Sequence, residues 1–339
     1  MKKSVIFSAF FILCAIIYTC VFPIKSLTVQ AQTPTEGKAE CVIEINSGRI
    51  LYEARGDFRL PLASTTKVLT AATVLEICNN LDAEIEIPIE AEGVEGSSVY
   101  LKAGEKFTVK DLLYGLMLRS GNDCAVALAL HCSGSIAEFS ARMNEIAQKS
   151  GALNSHFENP HGLPSKNHYT TARDLCYITR YAFKNPIFAE IVSTEYYPSK
   201  GWTNKNKLLK RYDGAMGVKT GYTKEAGRCL VSAAKRENMA LICVVLNCAQ
   251  MYERSSQLMD DAFSTYHYTP LLRKGTHLSL DQIEGKVAED YYYPLSAGES
   301  EQLEIRTLGI KLPQSKKIVG QFGIYLSKRL LFSGNLYKL

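Results

Sequence analysis

Hydropathy periodicity changes character twice along this chain, and the order of those changes limits the folds open to it. "ECVIEINSGRILYEA", Glu40 to Ala54, places β-rich runs on either side of Asn46-Ser47-Gly48, a hairpin pattern. Four helical segments follow: an apolar run from Ser64 to about Cys78, "TVKDLLYGLMLRS", "SIAEFSARMNEIAQKSG" and "TTARDLCYITRYAF". The third spaces Ile136, Phe139, Met143 and Ile146 at helical intervals and stops at Gly151. After Gly214 the pattern reverts to strands in "GAMGVKTGYT", "RCLVSAAKR" and "ALICVVLNC", and "MYERSSQLMDDAFSTY" closes the region as a helix. Helices inserted between a hairpin and a late run of strands predict an α+β domain, an antiparallel sheet covered by helices. From about Arg273 no long helix is evident. "DYYYPL", "LEIRTLGIKL" and "VGQFGIYLSKRLLFSGNLYKL" read as short strands of a small all-β domain. The expected division is therefore 32–272 and 273–339.

Residues 1–31 stand apart. Lys2 and Lys3 precede an apolar run from Val5 to Phe22, and small residues near Ala31 suit cleavage before Gln32. A signal peptide is expected, with an uncleaved anchor as the alternative because the run is nearly long enough to span a bilayer. Either way the chain is expected to act outside the cytoplasm, with any membrane association through this segment alone. The formal charge of +5 includes Lys2, Lys3 and Lys25, so the remainder is close to neutral, which excludes a nucleic-acid footprint. Beyond Cys14 and Cys20, the cysteines form no C-x-x-C pair and sit mostly in apolar segments, as small core residues do. Neither a metal-ligand spacing among the six histidines nor a nucleotide-binding glycine pattern is present, so no cofactor or metal is expected.

Three short motifs occur in order: Ser64-Thr65-Thr66-Lys67 opening a helix, Ser120-Gly121-Asn122 at a helix–loop junction, and Lys219-Thr220-Gly221 in a strand. S-x-x-K alone has a plain reading, a serine cap and a lysine snorkelling to solvent. The ensemble does not, and S-x-x-K, S-x-N and K-T-G in this order is specific. The chemistry fits the spacing. A serine hydroxyl needs an adjacent base, and residues i and i+3 share a helix face. A lysine serves as that base only when neutral, which burial and a neighbouring cation such as Lys219 both favour.

On these motifs, and on "NPHGLP", "TTARDL", "TNKNKLL" and "GVKTGYTKEAGRCLV", the sequence resembles the penicillin-binding protein and serine β-lactamase superfamily. It is most similar there to the low-molecular-mass serine-type D-alanyl-D-alanine carboxypeptidases. The resemblance implies a penicillin-binding/β-lactamase-like transpeptidase fold and removal of the terminal D-alanine from peptidoglycan stem peptides through a Ser64 acyl-enzyme, with β-lactams as covalent inhibitors. It implies Ser64, Lys67 and Ser120 as catalytic residues, Ser120 bridging Lys67 and the leaving amine. It implies that Asn122 binds the substrate amide, that Lys219 and Thr220 hold its carboxylate, and that Gly221 permits close approach. The backbone N–H groups of Ser64 and Tyr222 would form the oxyanion hole.

Two alternatives stand beside this reading. A class A-like β-lactamase needs a deacylating glutamate, and Glu158 lies in the required interval, although "ENPHGLP" does not resemble that loop. A non-catalytic cell-wall-binding module would keep the motifs for ligand binding alone. His161 reads as structural because no G-x-S-x-G accompanies it. Arg254 reads either as the counterpart of a family arginine or as a solvated helix charge.

Overall fold

The computed structural model describes residues 37–281, 283–309 and 317–338, and the expected signal peptide or anchor at 1–31 lies outside them. Strands β1 (Ala39–Glu44) and β2 (Ile50–Ala54) form the expected hairpin. Two small ladders, β3 (Glu84–Glu86) with β4 (Lys106–Thr108) and β5 (Tyr196–Tyr197) with β6 (Trp202–Thr203), interrupt the helices that follow. Then come β7 (Ala215–Thr223), β8 (Gly227–Arg236) and β9 (Met239–Leu246). These complete one antiparallel sheet in the order β2-β1-β9-β8-β7, because β9 returns to pair with β1. β7 is thus an edge strand, free to present one side to a ligand.

The apolar run of β9 is nearly continuous because both sheet faces are covered. Ile242, Val244 and Leu246 face the larger core, and Leu241, Cys243 and Val245 face the smaller one. The larger core is roofed by α1 (Lys67–Ile77), α2 (Val109–Tyr114), α3 (Asn122–Ser133), α4 (Ile136–Ser150), α5 (Ala172–Ala182) and α6 (Pro186–Ser193). α7 (Met251–Thr265) covers the opposite face. Local chemistry sets the helix starts. Thr108, Ser135 and Thr171 each accept the backbone N–H three residues on, and Pro186 follows the Asn185 cap. α1 is buried continuously from Lys67 to Val74, so it has no solvent face along that stretch.

The expected β region is present. β10 (His267–Leu272) pairs with β13 (Tyr291–Leu295). β11 (His277–Leu280), β12 (Ile283–Val287), β14 (Leu303–Gly309), β15 (Ile318–Leu326) and β16 (Arg329–Tyr337) form a second sheet, ordered β11-β12-β16-β15-β14. It has its own core around Phe322, Ile324 and Leu336. β10 reaches the 272/273 division from the N-terminal side, and β11 and β12 are too short for sequence alternation to single them out. Arg49, in the β1–β2 turn, binds this region. Its guanidinium donates to the Pro294 carbonyl at 2.6 Å and pairs with Glu299 at 2.6 and 3.0 Å.

Candidate active site

Ser64 lies in a single 3-10 turn, Ala63–Thr66, immediately before α1. Thr65 ties this turn to the Leu62 carbonyl through both its N–H (3.2 Å) and its hydroxyl (2.6 Å). Lys67 is the first residue of α1 and has no exposed surface, so its side chain cannot snorkel to water. Its Nζ lies 3.0 Å from Ser64 Oγ, 2.6 Å from Asn122 Oδ1 and 2.8 Å from the His161 carbonyl. Burial pushes its pKa well below the ordinary lysine value, and the nearby Lys219 charge pushes it the same way. Lys219 is itself buried, which, with the neighbouring charge of Lys205, lowers its pKa to about 7.

The second motif arrives through an irregular helix. α2 runs into a π-helical turn, Gly115–Arg119, which ends at Ser120 with φ +65°. Left-handed backbone at a non-glycine residue costs energy and marks a segment held by its surroundings. Ser120 is buried, but it is not among the three partners of Lys67 Nζ. Asn122 starts α3, and its Nδ2 donates to the Glu95 carbonyl at 2.5 Å, which turns Oδ1 toward Lys67. Asp123 anchors the loop that supplies this carbonyl. Its buried carboxylate accepts from Ser98 Oγ (2.5 Å), Val99 N (3.0 Å) and Leu101 N (3.1 Å).

The third motif lies against the first. A Cβ built on Gly221 would sit 3.0 Å from the Leu62 carbonyl oxygen and 3.1 Å from the amide nitrogens of Ser64 and Thr65. Strand β7 therefore runs in backbone contact with the Ser64 turn, and glycine is the residue that permits this spacing. Lys219 Nζ donates to the Thr220 carbonyl at 2.9 Å. Thr220 is half-buried and Tyr222 is exposed, at the open side of the strand.

All three motifs thus meet around Lys67. Sequence reasoning overlooked two further contributors. Asp123 is acidic and adjacent to the S-x-N motif, a signal that was available. The His161 carbonyl is a backbone group, and only the fold brings it to Lys67. His161 uses its ring locally, accepting from Leu163 N at 3.2 Å. Gly162, with φ +85°, lets this loop press on the Ser64 turn, since a Cβ there would lie 1.9 Å from the Ala63 oxygen.

Two expectations are corrected or narrowed. Arg254 is not a solvated charge: it is 1% exposed and forms a two-pronged pair with Glu40, at 3.0 and 2.9 Å, beneath α7. Glu158 spends its carboxylate on its own loop, accepting from Ser165 Oγ and from Asn167 N at 3.1 Å, which speaks against a deacylating role. Among the described residues no cluster of His, Cys, Asp or Glu could hold a metal ion, and no single helix is long and apolar enough to cross a membrane.

A helix-covered antiparallel sheet with a serine beside a buried lysine and a K-T-G edge strand defines the class, the penicillin-binding serine hydrolases. Among solved structures, penicillin binding protein 5 from Haemophilus influenzae superposes with a TM-score of 0.76 at 28% identity, over 90% of this chain and 97% of that one. The D-alanyl-D-alanine carboxypeptidase DacF of Bacillus subtilis (strain 168) is 34% identical over 278 residues, 78% of this chain and 71% of its own length. The D-alanyl-D-alanine carboxypeptidase of Streptomyces sp. (strain K15) is 39% identical over 233 residues, 62% of this chain and 80% of its own. The family model for D-alanyl-D-alanine carboxypeptidase matches residues 26–250, and the chain belongs to that family of serine-type peptidases. The family acts on peptidoglycan and binds β-lactams.

Proposed function

We propose that the chain removes the terminal D-alanine of peptidoglycan stem pentapeptides through an acyl-enzyme on Ser64, with Lys67 as the base. The observation that carries this is the set of three contacts at Lys67 Nζ. Asn122 Oδ1 and the His161 carbonyl can only accept, so they take the two N–H bonds of a neutral amine. The remaining contact is the Ser64 hydroxyl, whose proton then points at the amine lone pair. Burial, with the Lys219 charge beside it, shifts the amine toward its neutral form, which favours proton transfer within the pair.

Attack of Ser64 Oγ on the penultimate D-alanine carbonyl moves the hydroxyl proton to Lys67. The tetrahedral oxyanion is stabilised by the N–H groups of Ser64 and Tyr222, which the close approach of Gly221 supports. Collapse breaks the peptide bond, and Ser120 passes the proton from Lys67 to the leaving amine. Water, deprotonated by Lys67, then attacks the ester and frees Ser64. Asn122 holds the substrate amide and Lys67 together. Lys219 and Thr220 receive the terminal carboxylate, a charge-assisted contact that selects a free C-terminus. β-Lactams acylate the same serine because they present a similar amide and carboxylate.

Residues 32–272 form the catalytic part and 273–339 the β part of this enzyme. The basic and apolar start of the sequence directs it across the cytoplasmic membrane, as a cleaved signal or as an anchor that supplies any membrane association. Mass spectrometry after penicillin, with D-alanine release from a pentapeptide, tests the reading. Wild type gains one penicilloyl group and Ser64→Ala gains none and releases no D-alanine. Labelling of the alanine variant would refute Ser64 as nucleophile.

A further inference from the structure

Of the eight cysteines among the described residues, six are buried as small apolar side chains. Cys78 and Cys132 differ. Both are partly exposed and line the same cavity of about 270 Å³, beside Asn79, Asn80 and His131. Cys78 follows the last residue of α1, and Cys132 lies one residue before the end of α3. Across this cavity the Cys132 thiol interacts electrostatically with Cys78, and Cys78 Sγ donates to the Asn80 carbonyl at 3.6 Å. Both thiols flank the larger core without being enclosed by it, and the cavity leaves them open to solvent.

We propose that Cys78 and Cys132 are a modification site, a thiol pair that closes to a disulfide joining the C-terminal ends of α1 and α3. The oxidant is a small exchanging disulfide of the kind found outside the cytosol. The Cys78 thiolate attacks one sulfur of that disulfide, forming a mixed disulfide and expelling one thiolate. Cys132 loses its proton to solvent and attacks the Cys78 sulfur, expelling the second. Two protein thiols are oxidised and one external disulfide is reduced to two thiols. Partial burial and the neighbouring Cys78 thiol raise the Cys132 pKa to about 12, so Cys132 takes the second, intramolecular step, where proximity compensates for weak ionisation.

The bridge has a structural consequence. α1 and α3 already meet near their N-terminal ends, where Lys67 contacts Asn122. A disulfide at the opposite ends would fix the pair at both extremities. It would also enclose the whole segment carrying the Glu95–Leu101 loop and the Ser120 turn, removing freedom from the unfolded chain.

Occurrence in the cell rests on the exported location proposed above, whereas the pair's chemistry is testable on purified protein wherever the chain resides. Full-length reduced protein is incubated with oxidised glutathione, alkylated and digested without reductant. The expected product is a peptide containing Cys78 linked to one containing Cys132, lacking two hydrogens. The melting temperature should rise by roughly 5–10 °C on oxidation and fall back with dithiothreitol. Cys78→Ser/Cys132→Ser should fold, acylate with penicillin within about twofold of the reduced wild type, and show neither change. Recovery of both cysteines as alkylated thiols, as separate glutathione adducts, or linked to other cysteines would overturn the proposal. A bridge that leaves the melting temperature unchanged would overturn its structural consequence.

Discussion

Asn122→Asp isolates the protonation state of Lys67 from the shape of the site. The two side chains are nearly isosteric, and the change puts a carboxylate where the amide oxygen lies 2.6 Å from Nζ. At an effective dielectric of about 20, unit charges at that separation attract by about 6 kcal/mol. Two effects oppose this: desolvation of the new carboxylate, and the Glu95 carbonyl, which the wild-type amide meets as a donor at 2.5 Å. A net stabilisation of charged Lys67 of roughly 3 kcal/mol remains, about two pKa units. The neutral, base-active form lies above the pKa, so raising the pKa moves the activity profile to higher pH. At any pH below both midpoints the neutral fraction, and with it the acylation rate, should fall roughly 100-fold. The assay is the second-order rate of penicillin acylation measured across pH. Asn122→Ala is the control: it loses a contact but adds no charge, so its rate drops while its midpoint stays within about half a unit of wild type. If the aspartate variant keeps the wild-type midpoint, neutral Lys67 is not the base.

Gly221→Ala should lower kcat/KM at least tenfold and cost roughly 1–3 kcal/mol in stability, because its methyl group meets backbone atoms of the Ser64 turn at 3.0–3.1 Å; unchanged kinetics would show that β7 has room to withdraw. Glu40→Gln leaves the Arg254 guanidinium buried without its counter-charge, and urea unfolding should register a loss of roughly 3–5 kcal/mol while acylation per folded molecule is retained. His168, buried and hydrogen-bonded to Thr66 Oγ1 at 2.9 Å, has a folded pKa of about 4 against an ordinary 6.5. The unfolded chain takes up the proton first, so this contribution is full above pH 6.5 and is lost as pH falls toward 4. Between pH 7 and 4.5 wild type should lose roughly 2–3 kcal/mol more than His168→Gln in urea titrations; equal slopes would assign acid sensitivity elsewhere.

Residue types on which the proposed chemistry rests are legible in the sequence. Ser64, Lys67 and the K-T-G strand announce themselves because few other uses require those groups in that order, and the hairpin and the late strands follow from alternation. What stayed hidden depends on contacts between distant parts of the chain. Arg254 looks like a surface charge until Glu40, 214 residues away in sequence, comes beneath it. The His161 carbonyl has no side-chain signature at all. The thiols of Cys78 and Cys132 lie in unrelated apolar runs, and only the packing of α1 on α3 makes them a pair. The left-handed backbone of Ser120 is equally silent, because its sequence context favours glycine at the next position instead.

That left-handed serine has a consequence for how the protein can change over generations. A Cβ in this conformation costs on the order of 1–2 kcal/mol, which glycine at position 120 would recover at once. Glycine would also remove the hydroxyl proposed to carry the proton to the departing D-alanine. A lineage screened only for heat tolerance would therefore be drawn toward the same single replacement that blunts turnover. Endurance and catalysis compete for one codon, and improved thermal variants of this enzyme that retain activity must find their gains away from the Ser120 turn.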